Sequence, residues 1–146
     1  MLQIANVQFG SGLQLESLKL RRRILSTPLG LDFTPEQLAL EINDINFAAH
    51  RDGKLVGCVV LSPLDTADVK LCRMAVDPSH EGQGIGMQIV AFAEAWASTH
   101  GFKRAILHTR ETAVRFYERA CYTASGQSFM EVTIPHREMA KELIAS

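Results

Sequence analysis

Three glycines alternate near the middle of the chain, at Gly82, Gly84 and Gly86. A strand-like run ends at Val76 shortly before them, and a helix-like run begins at Ile85. Glycines leave backbone N–H groups uncovered, and the first turn of a helix adds unpaired N–H groups and a partial positive charge. The sequence therefore predicts a cradle for phosphate oxygens; a tight turn that needs glycine only for its geometry is the alternative.

The spacing of these glycines excludes the two commonest nucleotide sites. The pattern is G-x-G-x-G, whereas a dinucleotide site needs G-x-G-x-x-G and an acidic residue after a second strand, which is missing here. The P-loop pattern G-x-x-x-x-G-K-[ST] is also absent from the sequence. The expected phosphate ligand is therefore of another kind.

The elements that flank the glycines follow from hydrophobic patterns. A strand is predicted at 69–76, stopped by Asp77-Pro78, and a long helix follows the glycines and ends at His100-Gly101. A further strand at 105–108 makes a strand–helix–strand series, which implies a right-handed parallel crossover. The helix is expected to present one apolar face made of Ile85, Ile89, Phe92 and Trp96.

The N-terminal third is predicted to contain a strand, two helices and a hairpin. The strand covers 4–9, a helix opens at the capping box of Ser11 and Gln14, and a second helix covers 34–42. The hairpin joins strands at 47–50 and 55–61, because the Asp52-Gly53 pair tolerates the positive φ angles of a two-residue turn.

The C-terminal part is predicted to hold a helix at 113–120, one or two strands within 123–134, and a helical tail from His136. The tail places Met139, Leu143 and Ile144 on one side. The element order indicates an α/β (α+β) fold with a mixed sheet flanked by helices.

Composition indicates one globular domain, residues 1–146. The 146 residues carry 15 Lys+Arg and 16 Asp+Glu, a net charge of -1, which argues against nucleic acid as a partner. No signal peptide or membrane-spanning run is apparent, and three widely spaced cysteines without a C-x-x-C pair predict buried, reduced thiols, no metal site and a cytoplasmic location.

Two motifs resemble the GNAT family of N-acetyltransferases. Residues 76–86 resemble the family's motif A, [R/Q]-x-x-G-x-[G/A], and residues 113–122 resemble its second signature, A-x-x-[F/L]-Y-x-x-x-G-[F/Y]. The motifs occur in the family's order and at its usual separation. The resemblance extends from about residue 13 to the C-terminus and implies a mostly antiparallel central sheet with a parallel strand–helix–strand acyl-CoA site.

The resemblance further implies acetyl-CoA as co-substrate, bound without a metal. The glycine loop would hold its pyrophosphate, and the end of the preceding strand would pair with the pantetheine arm and polarise the thioester carbonyl. Tyr117 would protonate the departing thiolate as general acid; a core aromatic is the alternative. The residues implied in cofactor binding are Met74, Ala75, Val76, Glu81, Gly82, Gln83, Gly84, Ile85, Gly86, Met87, Ala113 and Phe116.

Three positions depart from the family pattern. Glu81 stands where Arg or Gln is usual, which brings a carboxylate close to the expected pyrophosphate and would weaken binding if it faced inward. Arg110 stands where many members carry Asn, and Cys121 replaces a glycine, so the end of the second helix lacks an easy left-handed cap.

The proton acceptor for the attacking amine has several candidates. His108 ends a strand beside the expected cleft and titrates near neutral pH, and Glu131 shares a strand face with Phe129 and Thr133, where a phenyl ring would raise its pKa. Each also fits an ordinary structural role, and a water-relayed path stays open. The remaining candidates are Glu41 and His136.

The sequence thus predicts an enzyme that moves an acetyl group from acetyl-CoA to a primary amine by direct attack in a ternary complex. A non-catalytic acyl-CoA sensor or interaction module with the same fold is the alternative. The acceptor is a small-molecule or peptide amine of unspecified identity, and the apolar C-terminal strands are compatible with a homodimer.

Overall fold

The computed structural model describes residues 2–7, 19–20, 44–80, 82–131 and 134–143. Within these residues the chain forms one sheet, two helices of defined bounds and a helical pair at Lys19 and Leu20, with 3₁₀ turns at Pro78–His80 and Glu111–Ala113. The helices are α1, Ile85–Thr99, and α2, Val114–Arg119. The strands are β1 Leu2–Val7, β2 Ile45–Arg51, β3 Lys54–Pro63, β4 Asp68–Val76, β5 Arg104–Arg110, β6 Thr123–Glu131 and β7 Ile134–Glu142.

The sheet has the order β1-β2-β3-β4-β5-β7-β6. All neighbours pair antiparallel except β4 and β5, which are parallel and joined through α1. This confirms the predicted mixed, mostly antiparallel sheet and its single parallel crossover. Of the predicted helix that opens at Ser11, only Lys19 and Leu20 are described, and both are helical, with Leu20 buried. The predicted helix at 34–42 lies outside the described residues, as do Gln8 and Phe9 of the predicted first strand.

The hairpin between β2 and β3 forms as its turn residues predict. Asp52 has φ 53° and Gly53 has φ 77°, so both central residues are left-handed. This backbone twist matches that of the flanking strands, which pair from Arg51 opposite Lys54 to Ile45 opposite Leu61. The turn fixes the register of the first pairs, and a bulge at Val56 shifts it by one residue from Ala49 opposite Gly57 onward.

Helix α1 lies close against the sheet because small residues face it. Ile85, Ile89, Ala93 and Ala97 are buried, and a Cβ added at Gly57 of β3 would lie 2.6 Å from Ile89 Cδ1. Glycine at position 57 therefore lets the helix approach the strand.

The predicted apolar face of α1 is partly wrong. Phe92 is 40% exposed and Trp96 is half-buried, because the alanines occupy the closest contact with the sheet. Both aromatic rings lie at the flank of the helix and meet the edge of the Phe47 ring, at centroid distances of 5.7 and 5.8 Å. Trp96 also stacks on His100 at 3.8 Å.

The predicted helical tail is wrong, because residues 134–142 form β7. This strand lies between β5 and β6 and pairs with both, from Arg110 opposite His136 to Arg104 opposite Glu142 on the β5 side. Met139 is buried in the core, and Leu143, just after the end of β7, packs against that core. The spacing of four residues between them, which is typical of a helix face, therefore occurs here in a strand and the residue that follows it. Pairing on two sides outweighs the local helical pattern. Ile144 lies outside the described residues.

Burial also separates the three cysteines. Cys58 is buried as predicted, whereas Cys72 is half-buried and Cys121 is exposed, and all three are free thiols.

In the described part of the chain, no helix is long and apolar enough to cross a membrane, and no group of three or more His, Cys, Asp or Glu is arranged to hold a metal ion.

Candidate active site

The parallel strands β4 and β5 pair over only three residues each. The register joins 68–70 of β4 with 104–106 of β5, whereas β4 continues to Val76 and β5 to Arg110. Beyond this short ladder the two strands separate, and β4 keeps its partner only on the β3 side. We call the resulting gap, between 71–76 and 107–110, the wedge. Met74, Ala75 and Val76 lie along its β4 side.

A β-bulge in β4 accompanies the separation. Cys58 pairs with Ala75 and Val60 pairs with Cys72, so Arg73 and Met74 together oppose one residue of β3. Arg73 has φ 54°, a left-handed conformation that is uncommon for an arginine. Bulges bend a strand and increase its twist, so this one turns the end of β4 away from β5.

The glycine loop at the end of β4 has the backbone conformation that an anion cradle needs. Gly82 and Gly84 have φ 80° and 77°, and a Cβ at either position would meet no other atom within 4 Å. Gly84 is the N-cap of α1, makes no side-chain cap, and accepts a hydrogen bond from the backbone N–H of Gln88 at 3.1 Å. Because the first turn of α1 carries no acidic residue, its N–H groups and dipole favour an added anion. Glu81 lies outside the described residues.

The third glycine serves packing rather than backbone freedom. Gly86 is buried in α1, and a Cβ there would lie 3.1 Å from Phe116 Cζ and 3.5 Å from Met74 Cε. Ile85 is buried beside it and Met87 is half-buried. Gly86 therefore lets α2 and the end of β4 meet at the start of α1.

Asp77 fixes the entrance to the loop. Its backbone N–H donates to Val56 O at 2.8 Å, and its Oδ1 accepts from Ser79 N at 3.0 Å and Ser79 Oγ at 2.8 Å. These bonds close the turn at Pro78–His80 and hold it on β3.

Arg51 reaches the loop from the β2–β3 hairpin. Its Nη1 donates a hydrogen bond to Oε1 of Gln83, across 32 residues of sequence. The guanidinium places a positive charge beside a loop whose own sequence has none. No spacing rule points to this contact, since it depends on how the hairpin packs beside β4.

Helix α2 carries the predicted general acid. Tyr117 is 7% exposed. Its ring makes T-shaped contacts with the rings of Phe116 and Tyr122, at centroid distances of 4.9 and 5.9 Å. Burial, and secondarily the charge of Cys72, raises the pKa of Tyr117 to about 12, so it is protonated at neutral pH. Phe116, which directly precedes Tyr117, and Met74 of the wedge both approach Gly86, so the start of α2 lies near the wedge. Ala113 precedes α2 as its N-cap, half-buried among the core side chains.

The end of α2 is capped although glycine is absent. Cys121 adopts φ 73°, the left-handed conformation that a glycine cap would adopt more easily. Its backbone N–H donates to Glu118 O at 2.9 Å. Tyr122 N donates to Tyr117 O at 3.0 Å. A non-glycine residue in this conformation costs about 1–2 kcal/mol, which the bonded turn offsets.

The candidate bases are distributed unevenly. His108 lies in β5, with Nε2 3.3 Å from Glu138 Oε1 of β7 and its ring 5.1 Å from the Phe129 ring. His136, expected at a helix start, is instead buried in β7 opposite Phe129. Glu131 ends β6, but its side chain, like Thr133 and Glu41, lies outside what the structure describes. Sequence reasoning missed Glu138, because it placed that residue in a helix.

His108 and Tyr117 belong to opposite sides of the sheet. Ala105 and Leu107 of β5 pack in the same core as α1 and Tyr117, and the alternation of a strand turns His108 to the other face. The wedge therefore has the acid candidate on its α1 side and the base candidate on the other.

The fold belongs to the mixed α/β class and has an anion cradle at its parallel crossover. This class is defined by the separation of strands β4 and β5, the bulge in β4 and the glycine loop before α1. A family model described as Acetyltransferase (GNAT) family matches residues 18–121. The chain belongs to this family.

Solved structures have the same fold over nearly the whole chain. A putative N-acetyltransferase from Lactobacillus plantarum superposes with a TM-score of 0.86 at 21% identity, covering 98% of this chain and 99% of that one. An aminoglycoside 6'-N-acetyltransferase complexed with coenzyme A gives 0.81 at 20% identity, with 97% of each chain covered. At this identity the likeness concerns the fold.

Sequence relatives match over a shorter part. Human N-acetyltransferase 8B is 28% identical over 109 residues, which are 69% of this chain and 48% of that protein. The chain spans about half the length of the first curated relatives that it matches.

Proposed function

We propose that the protein is an N-acetyltransferase that moves the acetyl group of acetyl-CoA to a primary amine by direct attack in a ternary complex. The observation that carries the proposal is the wedge between β4 and β5, which meets the glycine loop at one end and Tyr117 on one side. Family membership and the coenzyme A in the aminoglycoside acetyltransferase structure are consistent with that ligand.

The glycine loop supplies the phosphate contacts in this proposal. Gly82 and Gly84 are left-handed and the start of α1 has no side-chain cap, so backbone N–H groups of Ile85, Gly86 and Met87 are directed to an anion. Gln83, held by Arg51, closes the loop on its outer side. With a net charge of -1, the protein holds a polyanion through these groups rather than through a basic surface.

The β4 side of the wedge supplies the contacts to the pantetheine arm. Met74, Ala75 and Val76 have no ladder partner on the side of β5, so an extended amide chain adds there as a strand would. A backbone N–H at this edge donates to the thioester oxygen as negative charge develops on it. Phe116 and Ala113 place α2 beside the bound arm.

Tyr117 acts as general acid in the transfer. The amine nitrogen forms a bond to the thioester carbonyl carbon, the carbon–sulfur bond breaks, and Tyr117 Oη gives its proton to the sulfur. Its raised pKa keeps that proton in place throughout the neutral range.

Direct attack fits the cysteines better than a covalent relay through the enzyme. Burial raises the pKa of the Cys72 thiol, the cysteine that borders the wedge, so little nucleophilic thiolate is present. Cys121 is exposed and directly follows the C-cap of α2.

The experiment combines acetyl-CoA titration by calorimetry with a thiol-release assay over a panel of primary amines. We expect binding, slower amide hydrogen exchange at 82–87 on binding, and Tyr117→Phe to lower kcat by about 100-fold or more with little change in Kd. Tyr122→Phe is the matched control, since it removes a second buried hydroxyl of the same core. Absence of acetyl-CoA binding would contradict the proposal, and binding without transfer to any amine would favour a non-catalytic acyl-CoA module.

A further inference from the structure

Three side chains from three neighbouring strands meet on the face of the sheet opposite α1. His108 of β5 lies 3.3 Å from Glu138 of β7, measured from Nε2 to Oε1, and edge-to-face with Phe129 of β6 at 5.1 Å. The register pairs His108 directly with Glu138, so the contact follows from the strand alignment.

This group lies at the mouth of the wedge. Ile106 is the last residue of β5 that pairs with β4, opposite Lys70. His108 comes two residues later, which places it roughly 6–7 Å beyond the closed part of the ladder on the same strand face. Tyr117 occupies the other side of the sheet, so an acyl group in the wedge would lie between the two.

The environment of His108 is polar on one side and aromatic on the other. The Glu138 side chain is 50% exposed and that of His108 26% exposed, so solvent protons reach the pair. Other charged or titratable groups of the described chain lie on this face. They include His136, whose ring centroid lies 6.2 Å from that of Phe129, Arg110, paired in register with His136, and Lys70, opposite Ile106, with Arg104 and Glu142 at the far end of the strands. Glu138 is therefore an anion in contact with His108, and the positive charges of Arg110 and Lys70 act in the opposite direction.

We propose that His108 is the base that accepts the proton of the attacking amine and that Glu138 is its positioning residue. This assignment rests on the proposed function. Glu138 Oε1 accepts a hydrogen bond from Nε2–H, which selects the tautomer whose Nδ1 carries the lone pair. As the amine nitrogen bonds to the carbonyl carbon, its proton passes to Nδ1, and the carboxylate stabilises the imidazolium that forms. Tyr117 gives a separate proton to the sulfur, so the two transfers balance.

The test is the pH dependence of kcat/KM for the best amine of the panel. In the wild type the rate falls on the acid side, where protonated His108 cannot accept a proton. His108→Gln should lower kcat/KM by about 100-fold or more and remove that dependence, while acetyl-CoA affinity is retained. Glu138→Gln should shift the acid limb to lower pH and lower the plateau, because the imidazolium loses its carboxylate.

Two substitutions serve as controls outside the site. Glu142→Gln removes an exposed carboxylate of the same strand near its far end, and His100→Gln removes the imidazole that stacks on Trp96. Both should keep the wild-type profile. If His108→Gln does not fold, Glu138→Gln tests the same assignment, since that side chain is half exposed and its loss leaves the core intact.

The outcomes separate the two proposals. Transfer by the wild type that persists in His108→Gln with the acid limb unchanged overturns the assignment alone. An unshifted limb in Glu138→Gln overturns the positioning role. No transfer by the wild type to any amine overturns the proposed function and this assignment with it.

Discussion

Gly86 and Phe116 are in contact across the start of α1, where a Cβ on residue 86 would come within 3.1 Å of Phe116 Cζ. Phe116 directly precedes Tyr117, so this contact sets how far α2 stands from the wedge. The glycine that the sequence suggested for a phosphate loop therefore also positions the candidate acid.

Enlarging residue 86 should disturb turnover more than stability. In Gly86→Ala the new methyl group, 3.1 Å from Phe116 Cζ, pushes the ring outward by a few tenths of an ångström and displaces Tyr117. Because a misplacement of about 1 Å can lower a rate by about 100-fold, we expect a smaller loss of kcat, on the order of tenfold. Alanine favours a helix over glycine by about 0.5–1 kcal/mol, which offsets part of the strain. Steady-state kinetics and thermal melting measure the two effects. The double variant Gly86→Ala/Phe116→Leu should regain activity; if it does not, the displacement is not transmitted by this ring.

Removing Arg51 should weaken acetyl-CoA binding. Arg51→Ala frees Gln83 and takes a positive charge from beside the loop, and hydrogen bonds to charged groups contribute about 1.5–3 kcal/mol, so we expect Kd to rise about tenfold. Calorimetry at two salt concentrations measures the change. Lys54→Ala, which removes an exposed charge directly opposite Arg51 in the hairpin, should change Kd less than about twofold at physiological salt. Equal effects of the two substitutions would mean that only net charge matters.

A methyl group at position 57 should destabilise the fold. The Cβ of Gly57→Ala would lie 2.6 Å from Ile89 Cδ1 and 3.1 Å from the backbone oxygen of Ala75, so the Ile89 side chain must shift and the packing of α1 on β3 must adjust. Overpacking of this kind costs about 1–3 kcal/mol, read as the change in free energy of unfolding in urea. Adding Ile89→Val removes the closest methyl group and should restore part of the loss. An unchanged urea midpoint in the single variant would rule out close packing here.

Alkaline pH should destabilise the protein through its buried tyrosines. The pKa of Tyr117 is raised from 10.0 to about 12, so the contribution of its protonated form is complete below pH 10 and is lost as the pH rises to 12. At about 1.4 kcal/mol per pH unit this is roughly 2–3 kcal/mol. Burial, with the charge of Glu94 second, also raises the pKa of Tyr122, and burial raises that of Cys72, so both act in the same direction.

Urea unfolding followed by the fluorescence of the single tryptophan, Trp96, measures this pH dependence. Tyr117→Phe should flatten the fall in unfolding free energy between pH 10 and 12. The same slope in wild type and variant would show that Tyr117 ionises equally in the folded and unfolded chains.

Local signals in the sequence predicted the parts of the fold that depend on a few adjacent residues. Asp52-Gly53 predicted the left-handed hairpin turn, and Gly82 and Gly84 predicted the loop before α1, since each needs a φ angle that glycine or aspartate tolerates. Patterns compatible with two structures did less well. The 134–142 segment reads as helix by spacing, but it becomes a strand because β5 and β6 pair with it on both sides.

The sequence by itself determined the glycine loop, the strand–helix–strand series around it and the position of Tyr117 in a short helix, because these depend on backbone conformation and short-range periodicity. Only the tertiary structure decided the separation of β4 from β5, the contact of Arg51 with Gln83, and the pairing of His108 with Glu138. Each of these joins residues about 30 or more positions apart. Register and packing across the sheet bring them together, and no local pattern encodes that distance.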